Sequence, residues 1–405
     1  MEANQRATEP APRRGTNTAI AGVFAASLTA FLAIGAVLPV LPRYVHGPIG
    51  AGDVAVGVVV GAFAVTAIVS RPWAGRIADE RGRRPVTLFG LLAMVLGGAL
   101  LFVDAGVPGL LVARLIVGIG EGVTYTAVAA WVVDLSPPTR RAQLIGLLGL
   151  SVWIGLSGGP VIGEALRSLG GYDAVWAFAT AAPLGGLAIA WAQPSTPGRR
   201  AGPGGTRPPL VVREALGPGL ALALGNAGYA ALASFVVLHL ADRGTGHGVV
   251  VFTAFAVSVV AGRLLLGHLP DRIGPLRAAV GAAAAEAAGL VAIALAGAWP
   301  VALAGAVVMG AGFSVVFPAL ALLVIDRVPE ERRGAALGSF TAAFDAGYGL
   351  GAPAMGLLAA LGGYALVFWA GAACAAAAAV VALRVARAHR AGAGTAAPAA
   401  GGASR

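Results

Sequence analysis

Twelve apolar stretches, most of about twenty residues or more and separated by short polar breaks, follow one another along the 405 residues of this chain. A helix rises ~1.5 Å per residue and the hydrocarbon core of a bilayer is ~30 Å thick, so ~20 apolar residues are the length that crosses it. Helix is the only spanning form available, because each unpaired backbone group in lipid costs several kcal/mol. The stretches are too long for the ~10-residue alternating strands of a membrane barrel. Spans are expected at 19–42, 53–74, 86–103, 108–132, 142–166, 173–193, 215–240, 248–269, 278–297, 300–325, 334–360 and 363–386. Composition agrees: 58% of residues are hydrophobic and 11% charged, against roughly 25% charged in a soluble domain. Such a chain lacks the polar surface to cover a soluble core of its own. The first apolar run is too long for the core of a signal peptide and is kept as the first span.

The 28 basic residues are all Arg, and they give a net charge of +10. Codon bias in a GC-rich genome accounts for that choice. No stripe of Arg interleaved with aromatics exists, so nucleic acid is not an expected partner. The distribution of Arg is informative instead. With the N-terminus inside, 22 Arg fall in the tails and on the loops of that side. The opposite side holds only Arg43, Arg167 and Arg243, while Arg71, Arg114 and Arg263 lie at or within spans. Positive-inside bias therefore predicts a multi-pass protein of a bacterial inner membrane with both termini cytoplasmic.

Residues 194–214 break the pattern: they are long, Arg-bearing and rich in Pro and Gly, and read as a cytoplasmic linker. The expected organisation is a tail (1–18), a six-helix bundle (19–193), the linker, a second six-helix bundle (215–386) and a disordered tail (387–405). The two bundles repeat each other. A shift of 192 residues carries Arg71, Gly75, Asp79 and Gly82 onto Arg263, Gly267, Asp271 and Gly274. The same shift carries Gly118 and Gly120 onto Gly310 and Gly312, and Asp134, Pro137, Arg140 and Arg141 onto Asp326, Pro329, Arg332 and Arg333. Gly146, Gly155 and Gly159 land on Gly338, Gly347 and Gly351. Parallel six-helix repeats, with a site between the halves near the midplane, resemble the architecture of major facilitator superfamily transporters.

Three motifs carry the same resemblance. The loop after the second span reads Gly75-Arg-Ile-Ala-Asp79-Glu80-Arg-Gly82-Arg83-Arg84, similar to the superfamily's signature loop. Its glycines permit a tight turn, and Asp79 can accept from Arg and from a helix N-terminus. With Asp271 and Arg272 of the second copy, these residues form an expected cytoplasmic gate. Glu80 departs from the family's usual basic residue, and the second copy lacks the Arg pair. The fourth span carries Arg114-x-x-x-Gly118-x-Gly120-Glu121, which resembles the family's basic motif. A charge within a span costs a few kcal/mol and marks a functional candidate. The fifth span reads Gly146-x8-Gly155-x3-Gly159-Pro160-x2-Gly163-Glu164, which resembles the motif associated with antiporters except for Glu164 in place of Gly. Small residues let helices approach closely in lipid, and Pro160 bends its helix.

Asp345, in Phe344-Asp345-Ala-Gly347-Tyr348, and Glu121 are expected near mid-bilayer. A carboxyl in that setting can take up and release a proton as its surroundings alternate. Glu121 and Asp345 are thus the expected proton carriers, with Arg114 tuning one of them. Tyr125, Asn226 and Tyr229 are candidate polar contacts of the cavity, and Glu286 reads as a structural group in a peripheral helix.

The string Gly155-Leu-Ser157-Gly-Gly159 satisfies G-x-S-x-G, but a serine nucleophile needs a base within reach. His239 and His268 fall at span ends, and His46, His247 and His389 outside the spans, so an intramembrane serine hydrolase remains a remote alternative. The chain carries neither an H-E-x-x-H pair nor a G-K-[S/T] phosphate loop, which excludes ATP-driven transport by this chain alone. Its one cysteine, Cys374, leaves no disulfide framework. The resemblance implies a monomeric secondary transporter, not an enzyme, with no cofactor or metal. Its partners are protons, a small amphipathic substrate and the lipid bilayer. Proton-coupled efflux is the primary expectation, and uptake of an anionic metabolite held by Arg114 is the alternative.

Overall fold

The computed structural model describes residues 14–137, 140–196, 212–329 and 332–395. Twelve helical elements cover them, and no strand occurs among the described residues. In order they are α1 (Arg14–Val37), α2 (Leu41–His46), α3 (Asp53–Arg81), α4 (Arg83–Leu100), α5 (Gly106–Leu135) and α6 (Arg141–Trp191). The second half continues with α7 (Arg213–Asp242), α8 (Gly248–Leu266), α9 (Leu269–Ile273), α10 (Pro275–Leu295), α11 (Trp299–Ile325) and α12 (Arg333–Thr395).

Among the described residues, ten continuous helical stretches are long and apolar enough to cross a membrane, two of them of 49 and 53 residues. Those two, within α6 and α12, are each broken at a Gly-Gly pair whose second member has positive φ, 68° at Gly171 and 75° at Gly363. Only glycine adopts that backbone without strain. Each run therefore folds back into two spans, 141–169 with 172–191 and 333–361 with 364–395. The return is visible in the contacts. Gly163 packs on Ala36, whereas Trp191 comes back to the Arg-rich face beside Arg84. Span one comprises α1 and α2, bent around Pro39, which cannot donate to the helix ladder. The result is twelve crossings in an all-α membrane fold.

The repeat is a repeat of packing. A Cβ on Gly118 would strike the carbonyl of Phe63, and one on Gly310 that of Phe255. Gly155 lies on Phe31 and Leu32, and Gly347 on Ala223; Gly159 lies on Gly35, and Gly351 on Ala227. Every one of these contacts is related to its counterpart by the same 192-residue shift. In lipid no hydrophobic force drives helices together, so close backbone approach at glycine supplies the packing.

Some ends differ from expectation. The helix of α1 starts at Arg14, within the expected tail, and α12 continues through Thr395, past the expected end at 386. Residues 384–395 are rich in Ala and Arg, both strong helix formers that need no lipid to stay helical. Residues 1–13, 197–211 of the linker and 396–405 lie outside the described residues, as do 138–139 and 330–331.

Candidate functional site

Between the two halves lies a cavity of about 160 Å³, close to the ~150 Å³ that accepts a benzene ring. Spans from both halves line it: α1, α3, α5 and the first part of α6 on one side, α7, α8, α11 and the first part of α12 on the other. Its wall is aromatic, with Trp153, Tyr229, Phe317 and Phe344 prominent. The halves approach closely at the face away from the Arg-rich loops. There Gly57 packs against Ala352 and Gly356, and the Tyr364 hydroxyl donates to Asp53 at 3.0 Å. Nearer the Arg-rich face, a Cβ on Gly146 or on Gly338 would meet no neighbouring element within 4 Å among the described residues.

Four charged groups line the cavity: Arg71, Glu121, Arg263 and Asp345. Arg71 of α3 joins the two acids. One of its terminal nitrogens donates to Glu121 Oε1 and Oε2 at 3.1 and 3.2 Å and to Asp345 Oδ1 at 3.3 Å. Its Nε also stands 2.8 Å from Asp345 Oδ2 as an ion pair, without hydrogen-bond alignment. Glu121 belongs to the first half and Asp345 to the second, so this guanidinium bridges the two bundles. All three are withdrawn from water, with side-chain exposures of 16%, 7% and 10%. The Tyr125 ring lies 5.1 Å from Arg71.

Arg263, the repeat partner of Arg71, has no such company. No carboxylate or hydrogen-bond acceptor meets its guanidinium among the described residues, and its Nε is buried without a partner. It lies 5.5 Å from the ring of Trp153. A cation over an indole face gains ~0.5–2 kcal/mol depending on desolvation, less than a buried countercharge supplies at close range.

The remaining sequence candidates fall into distinct places. Arg114 is 2% exposed, donates to the carbonyls of Val59 and Val60 at 3.3 and 3.1 Å and covers the Phe63 ring at 4.6 Å. It ties α5 to α3 and lies off the cavity wall, so the structure does not bring it together with Glu121. Tyr125 and Tyr229 line the cavity. Asn226 sits behind it and donates to the Phe344 carbonyl, immediately before Asp345. Glu286, in α10, is fully buried against Gly225 and Gly228 of α7.

At the loop after α3, Arg83 bridges Asp79 at 2.5 Å and Asp134 at 2.9 Å, and Gly82 turns the chain at φ 91°. A Cβ on Gly75 would stand 3.8 Å from the Thr126 methyl, and Arg84 reaches the Gln193 carbonyl at 3.2 Å. The second copy has Pro275 where the repeat would put the bridging Arg. Asp271 accordingly forms no ion pair among the described residues, and neither does Arg272. In the motif of α6, Gly155, Gly159 and Gly163 pack on α1, with Pro160 buried between them. Glu164, at the departing position, is clasped by Arg43 and Arg167. Ser157 Oγ donates to the Trp153 carbonyl of its own helix at 2.6 Å, which is a helix-internal bond and no nucleophile's geometry.

In the sequence Arg71 and Arg263 stand out as repeat partners, and no motif assigns them a role. The expected span ended at 74, making Arg71 a loop-proximal charge, whereas α3 runs on to Arg81 and leaves Arg71 ten residues inside it.

Comparison with known proteins agrees with this architecture. The family model described as Major Facilitator Superfamily matches residues 23–250 and again 219–403. An "Uncharacterized MFS-type transporter" of Burkholderia mallei (strain SAVP1) is 34% identical over 399 residues, covering 93% of this chain and 95% of the relative. One of Pseudomonas aeruginosa (strain LESB58) is 31% identical over 381 residues, 91% of this chain and 94% of the relative. The crystal structure of nucleoside transporter NupG superposes with a TM-score of 0.76 at 14% identity, over 91% of this chain and 99% of that one, a likeness of fold alone. These relatives point to a membrane transporter and away from an enzyme. The chain belongs to the Major Facilitator Superfamily.

Proposed function

We propose that the chain is a proton-coupled exporter that exchanges protons for a small amphipathic compound by alternating access. The observation that carries the proposal is the Glu121–Arg71–Asp345 bridge on the wall of the central cavity. A rocking motion of the two bundles must loosen this bridge, since its acids come from different halves. Protonating either acid removes one of the two attractions that hold Arg71 between them. Proton binding and conformation are thereby linked through one guanidinium, which is the requirement for coupling.

The orientation follows from positive-inside bias: the Arg-rich face and both termini are cytoplasmic, in a bacterial inner membrane. The close packing of the opposite face then corresponds to a state closed to the outside. Export rather than uptake is supported by the glycine motif of α6, which packs along α1 as a continuous small-residue seam. Uptake of an anion held by Arg114 lacks that support, because Arg114 is already satisfied by the carbonyls of α3.

The test uses purified protein in liposomes with an acidic lumen, to which lipophilic cations, neutral aromatics and aromatic acids are added in turn. One class of compound is expected to discharge the gradient with wild-type protein and not with Asp345→Asn. A gradient that no class discharges, or that Asp345→Asn discharges equally, overturns the proposal.

A further inference from the structure

The 192-residue shift that carries Arg71 onto Arg263 also carries Glu121 onto Phe313 and relates Trp153 to Asp345. Each carboxylate that meets Arg71 thus has an aromatic residue as its counterpart in the repeat, and one of these, Trp153, lies against Arg263. The substitution is realised in three dimensions. Arg71 lies against the acid of α12 at 2.8 Å, and Arg263 lies against the indole of α6 at 5.5 Å. Trp153 and Phe313 themselves pack edge to face with centroids 5.4 Å apart. The cavity therefore holds two guanidinium groups in equivalent positions, one with two acids and one with none. Gly149, one turn before Trp153 on α6, carries no side chain beside Arg263, whose terminal nitrogen stands 3.8 Å from where a Cβ would be.

The geometry points to Arg263 as the receptor for an anionic group on the transported compound. The ligand supplies the carboxylate, or an equivalent anion, that the second half of the repeat lacks. Its apolar or aromatic body then lies against Trp153, Tyr229 and Phe344. A guanidinium fork pairs two-pronged with a carboxylate, and its flat face stacks on the indole at the same time. The inference rests on the cavity being the transport site, and it narrows the substrate class to amphipathic organic anions. Positively charged and neutral compounds of the same shape fit the volume but leave Arg263 uncompensated.

Three probes of matched shape test it: benzoate, benzamide and benzylammonium, each sized for a cavity of about 160 Å³. Their dissociation constants are measured by saturation-transfer NMR on the full-length protein in detergent micelles. Benzoate is expected to bind the wild type about tenfold or more tightly than benzamide, as befits a charge-assisted bond, and benzylammonium least well. In Arg263→Gln the preference for benzoate is expected to vanish while benzamide binds as before, which also reports an intact cavity. Equal binding of benzoate and benzamide to the wild type overturns the inference. So does a benzoate preference that survives in Arg263→Gln, tighter binding of benzylammonium, or binding of none of the three. Failure here is separable from failure of proton coupling. If the benzoate preference is absent while Asp345→Asn still abolishes ligand-driven proton movement, coupling stands and the anion site falls.

Discussion

Arg71→Gln is expected to abolish transport and to lower stability by about 3–5 kcal/mol, the usual cost of removing one partner from a buried charge network. The reason is asymmetry. The substitution deletes one cation but leaves two carboxylates, Glu121 and Asp345, whose side chains are only 7% and 10% exposed. Each loses its nearest positive charge, and the two face each other across the gap it leaves. Proton uptake by the acids recovers part of the loss, so the observed value should fall near the lower end of that range. The triple variant Arg71→Gln, Glu121→Gln, Asp345→Asn removes all three charges together. It is expected to regain most of the stability, because replacing a whole buried charge group by neutral groups is often close to neutral. It should not regain transport. Thermal unfolding in detergent measures the first quantity and proteoliposome flux the second. A triple variant as unstable as Arg71→Gln would mean that the guanidinium matters through packing alone.

The second large effect belongs to the seam between α1 and α6. A Cβ at Gly159 would lie 2.6 Å from the Ala36 nitrogen and from the Gly35 backbone. Backbone cannot rotate aside as a side chain does, so Gly159→Leu must drive the two helices apart. Overpacking a close contact costs about 1–3 kcal/mol and more when only backbone could yield. The yield of folded protein in the membrane should drop at least tenfold. A Cβ at Gly146, thirteen residues earlier in the same helix, would meet nothing within 4 Å among the described residues. There Gly146→Ala should change the stability by no more than about 0.5 kcal/mol. Fluorescence-detected size exclusion compares the two directly. Equal yields from both variants would contradict the packing role assigned to Gly159.

These contrasts mark what was legible before the structure. The twelve spans were, because ~20 apolar residues between charged turns have one solution in a bilayer. The halves were, because Asp79 and Asp271 recur in register and chance glycine matches do not bring charges with them. Glu121 and Asp345 were legible as lone acids in apolar helices. Their partner was not. Arg71 sits in a helix that continues past its apolar part to Arg81, and such a helix has its end hidden from hydropathy. Arg114 attracted the role instead, since it lies deeper in an apolar run. Main-chain carbonyls of α3 satisfy it, and carbonyl acceptors leave no mark in a sequence. The match of Phe31 to Ala223 and Gly35 to Ala227 was equally silent, because the repeated feature is the space each leaves and not its identity.

Protons that reach Glu121 and Asp345 are expected to shift the two bundles relative to each other. Spin labels report it without any substrate. Leu169 and Leu361 are 84% and 73% exposed, occupy equivalent turns of the two halves and stand at the face where the bundles close. With Cys374→Ser removing the native thiol, Leu169→Cys and Leu361→Cys carry one label on each half. Pulsed electron resonance then gives the distance between them in liposomes on either side of neutral pH. The wild type is expected to change its distance distribution with pH, and Glu121→Gln with Asp345→Asn is expected to hold one distribution throughout. A wild type indifferent to pH, or a doubly neutral variant that responds just as the wild type does, would contradict the claim.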